Sequence, residues 1–228
     1  MTTWQNRWDH LRGLGVKGTL ASALDHTMVR PLFTLTEWAE DLRLGVDTRG
    51  NLRPAELGIQ DPDAGSYQPS SFRDLRRIMR ELAIRPDREV LVDYGSGKGR
   101  VLIEAARHPF RRVLGIEICP QLSEIARTNL LRNRHRHRCP EVAVAVADAA
   151  RFPPPRDATM FFFYNPFWGD CLRAVMALIR RSLDEHPRPV TIIYLNPPET
   201  LQSTYPWLRA EREWPAYPGR KVVKFRAG

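Results

Sequence analysis

Lysine is scarce in this chain. Of 35 basic residues only Lys17, Lys98, Lys221 and Lys224 are lysines, and the rest are arginines. Cysteine is scarcer. Cys119, Cys139 and Cys171 make an odd number with no CxxC pair, which argues against a disulfide framework and for a reducing, cytoplasmic setting. No apolar run reaches about 18 residues, so no transmembrane helix is expected. Residues 1–12 mix Trp, Asp, His and Arg and lack the uninterrupted apolar stretch of a secretory signal. No internal repeat or low-complexity tract is present. What remains is 228 residues, 43% hydrophobic and 27% charged, enough for one globular domain, alone or with an appendage.

The formal net charge is +9, unevenly spread. Residues 1–66 carry 7 basic and 9 acidic groups, residues 67–152 carry 17 and 10, and residues 153–228 carry 11 and 7. The basic excess therefore belongs to the middle and end of the chain. Such a surface attracts nucleic acid, acidic peptides or phosphorylated ligands. A solvated surface with no such partner explains the charge equally well.

Residues 1–66 lack strand-like apolar runs. Residues 20–35 and 35–44 read as helical pieces broken at Pro31, and residues 45–65 have turn chemistry. This region reads as a helical extension, a substrate cap. Residues 67–228 then alternate strand and helix. Ser70-Ser71 is an N-cap signal before apolar residues at helical spacing, Phe72 to Leu82. Strands are expected at 90–92, 113–116, 142–146, 160–164 and 190–195, with a final edge strand at 221–225. Helices are expected at 101–107, 121–131 and 172–183. This alternation predicts an α/β fold, a three-layer αβα sandwich around a mostly parallel sheet. Ligands of such sheets bind at the carboxyl ends of the strands.

The strongest local signal is Asp93-Tyr-Gly95-Ser96-Gly97-Lys98-Gly99, between a strand and a helix. It is GxGxG, not the GxGxxG of nicotinamide-binding proteins, and no GxxxxGK[ST] P-loop is present. An acid two residues before the first glycine would repel a pyrophosphate. It suits a ligand bearing an ammonium and a sulfonium, as S-adenosylmethionine does. Glu117 ends the second strand, where a carboxylate can bind ribose hydroxyls; an exposed turn acid is the plain alternative. Asp148 follows the third strand, where its carboxylate can face an adenine edge and the Ala149 amide a ring nitrogen; a helix N-cap is the alternative.

With Asp93, the three glycines, Glu117 and Asp148 each ending a successive strand, residues 67–228 resemble class I S-adenosylmethionine-dependent methyltransferases. The resemblance implies a seven-stranded sheet with one antiparallel strand, S-adenosylmethionine as cofactor and S-adenosylhomocysteine as product. It implies that Asp93 and the glycines hold the methionine portion, Glu117 the ribose and Asp148 the adenine. The cofactor site then comprises Tyr67, Ser70, Asp93, Gly95, Ser96, Gly97, Gly99, Glu117, Ile118, Asp148, Ala149 and Asn165. Tyr67-Gln-Pro-Ser70 and the glycine loop are also similar to those of seven-strand lysine methyltransferases.

The fourth strand ends Tyr164-Asn165-Pro166-Phe167-Trp168. It resembles the (Asp/Asn)-Pro-Pro-(Tyr/Phe) motif of amino-group methyltransferases, with Phe167 in place of the second proline, which departs from the adenine-specific form. The Asn165 oxygen and a nearby carbonyl can accept the two hydrogens of an acceptor NH2. Pro166 removes a competing donor, and Phe167 or Trp168 can stack on a flat or cationic group. Asn165, Pro166 and Phe167 are the candidate catalytic residues; Tyr164, Trp168 and Tyr194 are candidate substrate contacts. Asn196-Pro-Pro either lines the same cleft or ends its strand. The run Arg132 to Cys139 is a phosphate site, part of a metal site or a solvated loop, with no second zinc-spaced cluster. Trp4, Trp8 and Trp38 form either a lid or helix anchors.

The expected activity is methyl transfer to nitrogen, first to a protein or peptide amine, next to a small metabolite, and third to RNA or DNA, for which no appended module is visible. A non-catalytic nucleic-acid-binding or cofactor-sensing protein is the reading from another class.

Overall fold

A computed structural model describes residues 30–216 and 219–228. Trp4, Trp8 and the sequence-predicted helix before residue 30 lie outside the described residues. Two compact units divide the chain, residues 1–43 and residues 44–228. Helix α1, Arg30–Leu44, runs unbroken through Leu35. Pro31 stands in its first turn, where a missing N–H costs nothing. The second unit starts before residue 67. Residues 45–66, grouped with the extension by their composition, belong to it.

In this unit helix α2, Phe72–Glu81, follows Ser71, whose Oγ accepts the Asp74 amide at 3.3 Å. Losing such a cap costs about 1 kcal/mol. Its stripe of Phe72, Leu75, Ile78 and Met79 is buried, each side chain contributing about 1.5–3 kcal/mol of transfer free energy. The chain continues through β1 (Val90–Tyr94), α3 (Arg100–Ala106), β2 (Arg112–Glu117), α4 (Pro120–Arg132), β3 (Glu141–Val146), β4 (Met160–Tyr164), α5 (Gly169–Glu185), β5 (Val190–Leu195), α6 (Leu201–Thr204), β6 (Arg209–Ala216) and β7 (Arg220–Ala227).

These strands form one seven-stranded sheet in the order β3-β2-β1-β4-β5-β7-β6. All neighbours from β3 to β5 are parallel, and β7 runs antiparallel to both β5 and β6. Side chains of α2, α3 and α4 join one apolar cluster, and those of α5 and α6 join the other. The layers are therefore helix, sheet, helix.

The central strand β4, Met-Phe-Phe-Phe-Tyr, sends Phe162 into the first cluster and Phe161 and Phe163 into the second. Register aligns Tyr94, Phe163 and Tyr194 across β1, β4 and β5. Their rings stack at 5.3 and 5.2 Å.

Two strand expectations need correction. The strand expected at the edge, 221–225, is internal, and its Val222, Val223 and Phe225 are buried. The true edge is β6, which the sequence hid: Arg209 to Glu213 are exposed, charge-rich and followed by Pro215. Charge and proline are what protect a sheet edge, and they erase the apolar alternation that marks a strand. No helix among the described residues is long and apolar enough to cross a membrane.

Candidate functional site

A cleft of about 950 Å³, counting its open mouth, lies at the carboxyl ends of the parallel strands. Its floor comes from the ends of β1, β2 and β4, and one wall from the segment Leu57 to Ser70.

The glycine loop leaves β1 with Gly95, Gly97 and Gly99 all at positive φ. At Gly95 a Cβ would fall 2.3 Å from Pro166 Cβ, and at Gly97 2.4 Å from the Tyr67 ring. Glycine is needed there both for the turn and for close approach. Gly97 and Gly99 do not line the cleft. They bring Tyr67 and α4 against the loop.

Asp93 lines the cleft floor and is 2% exposed, with no partner for Oδ2. Burial, then the like charge of Glu117, pushes its carboxyl well above the usual range. Glu117 accepts the amides of Gly97 at 2.8 Å and Cys119 at 2.9 Å. Burial raises its pKa, and the amides of Cys119, Gly97 and Ile118 oppose the rise. Ser96, Ile118, Asp148 and Ala149 also line the cleft. Asp148 does cap a short 3₁₀ turn, accepting the Ala150 amide at 2.9 Å. It caps and faces the cleft at once.

Tyr67 and Ser70 line the opposite wall. The Tyr67 hydroxyl donates to the Thr48 carbonyl at 2.5 Å. Arg100, which the sequence reading passed over, also lines the cleft while 4% exposed. It donates to Thr48 Oγ1 at 2.7 Å and the Ser70 carbonyl at 2.9 Å, and lies over the Phe72 ring. Its place directly after Gly99 was the available signal.

Tyr164, Pro166 and Phe167 line the cleft, and Asn165 stands among them without lining it. Asn165 and Asn196 follow the paired ends of β4 and β5, and both have positive φ, 41° and 59°. The Asn165 carboxamide meets no hydrogen-bond partner among the described residues. The Pro166 carbonyl accepts the Gly65 amide at 2.8 Å. Asp63 holds this segment from outside. Its carboxylate accepts the amides of Asp170 and Cys171 at 2.6 and 3.1 Å, and its carbonyl that of Trp168 at 3.0 Å. No local pattern could have revealed a contact spanning 107 residues.

Two expected substrate contacts are elsewhere. Tyr194 is 1% exposed in the aromatic stack, where burial raises its pKa, and it is a core residue. Trp168 is exposed at the N-terminus of α5 and does not line the cleft. Cys171 lines the cleft; burial and then Asp61, Asp148 and Asp63 push its thiol up to about 12, so it stays neutral. Among the described residues no group of His, Cys, Asp and Glu is placed to hold a metal.

These groups fit S-adenosylmethionine. The Asp93 oxygen, buried and without a partner among the described residues, suits a ligand ammonium, and Glu117 and Asp148 line the same cleft with acceptor oxygens.

Residues 91–186 match a family described as a methyltransferase domain. No curated protein matches the sequence. Among solved structures, an RNA methyltransferase from Salinibacter ruber, bound to S-adenosyl-L-homocysteine, is 24% identical; the match covers 70% of this chain and 92% of that one, with a TM-score of 0.52. A SAM-dependent methyltransferase from Aquifex aeolicus is 12% identical over 68% of this chain and 90% of its own, with a TM-score of 0.54. A putative methyltransferase from Escherichia coli is 14% identical over 80% and 91%, also at 0.54. Residues 91–186 thus carry a methyltransferase domain, set in the seven-stranded sheet of this fold with an acid-floored cleft at its strand ends.

Proposed function

We propose that the protein methylates nitrogen, on a protein or peptide amine, with Asn165-Pro166-Phe167 positioning the acceptor. The observation that carries this is the charge of the cleft. Among the described residues Asp61, Asp93, Glu117 and Asp148 line it against one guanidinium, Arg100; with Asp93, Glu117 and Asp148 given to the cofactor, Asp61 is the acid left to an acceptor, on a chain of net charge +9. A cleft of that sign draws in an amine and repels a polyanion. It disfavours an RNA acceptor despite the basic surface.

When bound, S-adenosylmethionine would supply an electrophilic methyl to the lone pair of the acceptor nitrogen once an ammonium has given its proton to solvent; the methylated nitrogen takes the positive charge and neutral S-adenosylhomocysteine leaves. The roles proposed for the chain's residues are positional. Asp93 takes the ammonium of the methionine portion. Glu117 takes the ribose, Asp148 and Ala149 the adenine, and Tyr67 and Ser70 close the wall. The Asn165 carboxamide, beside the cleft and without a partner among the described residues, accepts an N–H of the acceptor and orients its lone pair. Gly65 already occupies the Pro166 carbonyl, so Asn165 carries more of that task than the motif's usual form demands. Phe167 keeps water from the acceptor.

The test uses S-adenosylmethionine carrying a labelled methyl, incubated with the protein and extract of the source cells. Label in the protein fraction, recovered as N-methylated residues after hydrolysis, is expected. Label in RNA alone overturns the amine reading, and label in the small-molecule pool alone moves the acceptor to a free metabolite.

A further inference from the structure

Because β7 runs against the parallel strands, its first residue lies at their carboxyl ends, where the cleft is. That residue is Arg220. Leu195 pairs with Val222, so Arg220 stands two residues beyond the last pair, over the turn at Asn196. Its Nη2 donates to Gln68 Oε1 at 2.9 Å, and its guanidinium lies 5.1 Å from the Tyr164 ring centroid. Gln68 and Tyr164 both line the cleft.

Arg220 is half-buried, yet among the described residues it meets no carboxylate. Arg188, in the same burial class, shows what a structural arginine does with its five N–H groups. It donates to the carbonyls of Ala158, Ser182 and His186 and to the Ser182 hydroxyl. Arg112, another half-buried arginine, is paired with Asp157. Among the described residues Arg220 makes one side-chain hydrogen bond, to the neutral amide of Gln68. A guanidinium taken partly out of water without an anion is disfavoured, and burial alone lowers its pKa. An arriving anion would relieve that cost.

We propose that Arg220, held by Gln68 and Tyr164, binds a carboxylate carried by the acceptor substrate. The planar fork matches two carboxylate oxygens. Asp61 and Asp148, which line the cleft, oppose a phosphate dianion or a polyanion more than a monoanion. The acceptor is thus an amine with a carboxylate within reach, as in an amino acid or an acidic peptide. The placement of the amine rests on the function proposed above; the carboxylate site does not.

The probes are ω-amino acids from β-alanine to 6-aminohexanoate, alkylamines and unbranched carboxylates of matching length, and phosphoethanolamine. Each is titrated calorimetrically into protein saturated with S-adenosylhomocysteine. At least one amino acid should bind about tenfold tighter than its alkylamine. Arg220→Gln should abolish that gap and leave S-adenosylhomocysteine affinity within about twofold, while Arg220→Lys keeps part of it. Amino acids no tighter than alkylamines, a gap that survives Arg220→Gln, or no Arg220-dependent carboxylate binding at all overturns the proposal. A larger gain for phosphoethanolamine overturns the choice of carboxylate. Carboxylates that bind through Arg220 with no added affinity from an amine uphold the site and remove the amine reading instead.

Discussion

Under β1, β2 and β3 the cleft is made by residues close to one another in sequence: Asp93, Gly95 and Ser96 in one loop, Glu117 and Ile118 at one strand end, Asp148 and Ala149 at the next. Beside β4 it is supported from afar: Gln68, which lines it, meets Arg220, which does not, across 152 residues, and Asp63 caps α5 across 107. The first half is acidic and holds an orphaned buried carboxylate oxygen. The second has beside it the Asn165 carboxamide and the Arg220 guanidinium, neither of which lines the cleft or meets a carboxylate among the described residues. A cofactor with fixed chemistry can be met by a fixed local motif, whereas an acceptor is met by whatever the fold brings to the same edge.

If the halves are separable in function as well as in construction, substitutions should sort between them. The largest effect is expected from Asp93→Ala, which should weaken S-adenosylhomocysteine binding by about a hundredfold, or 2.7 kcal/mol, measured by calorimetry. Undiminished affinity would remove Asp93 from the site. Gly97→Ala places a methyl against the Tyr67 ring at positive φ, and should cost about 1–3 kcal/mol of stability in chemical denaturation. Adding Tyr67→Ala should recover part of that loss; simple additivity would show that the close approach is not the cause.

A third test reads the buried acid directly. Because the folded pKa of Asp93 is raised, the folded state favours its protonated form. Its contribution is full below the unfolded carboxylate pKa of about 3.9 and is lost as pH rises through the folded value. Cofactor-free protein should therefore lose thermal stability across that window. Asp93→Asn should flatten the loss, with Glu117, raised in the same direction, accounting for what remains. An unchanged slope would mean Asp93 is not the group titrating. The smallest effect is expected from Tyr194→Phe, where a core hydroxyl outside the cleft is deleted; transfer should change by less than about twofold. A larger drop in turnover would return Tyr194 to the acceptor side.

Much of the construction around β1, β2 and β3 could be read from sequence because its signals are local. A short apolar strand, an acid and three glycines at fixed spacing specify a turn, and successive acids mark successive strand ends. Even there the mechanism of Gly97 was hidden: it serves a contact with Tyr67, 30 residues away. The acceptor half resisted for three physical reasons. Tyr194 looked like a hydroxyl at a strand end, but register with Tyr94 and Phe163 turns it into the aromatic stack. The edge strand β6 was masked by the charges that keep an edge from pairing. Asp63, Gln68 and Arg220 matter only through partners that no local window contains.

The account stands most directly on Asn165, measured for turnover and cofactor affinity in one preparation. Asn165→Ala should abolish labelled-methyl transfer to amine acceptors while S-adenosylhomocysteine affinity stays within about tenfold, or 1.4 kcal/mol. Unchanged transfer would take Asn165 out of the chemistry, and a collapse of cofactor affinity would contradict the division of the cleft into two halves.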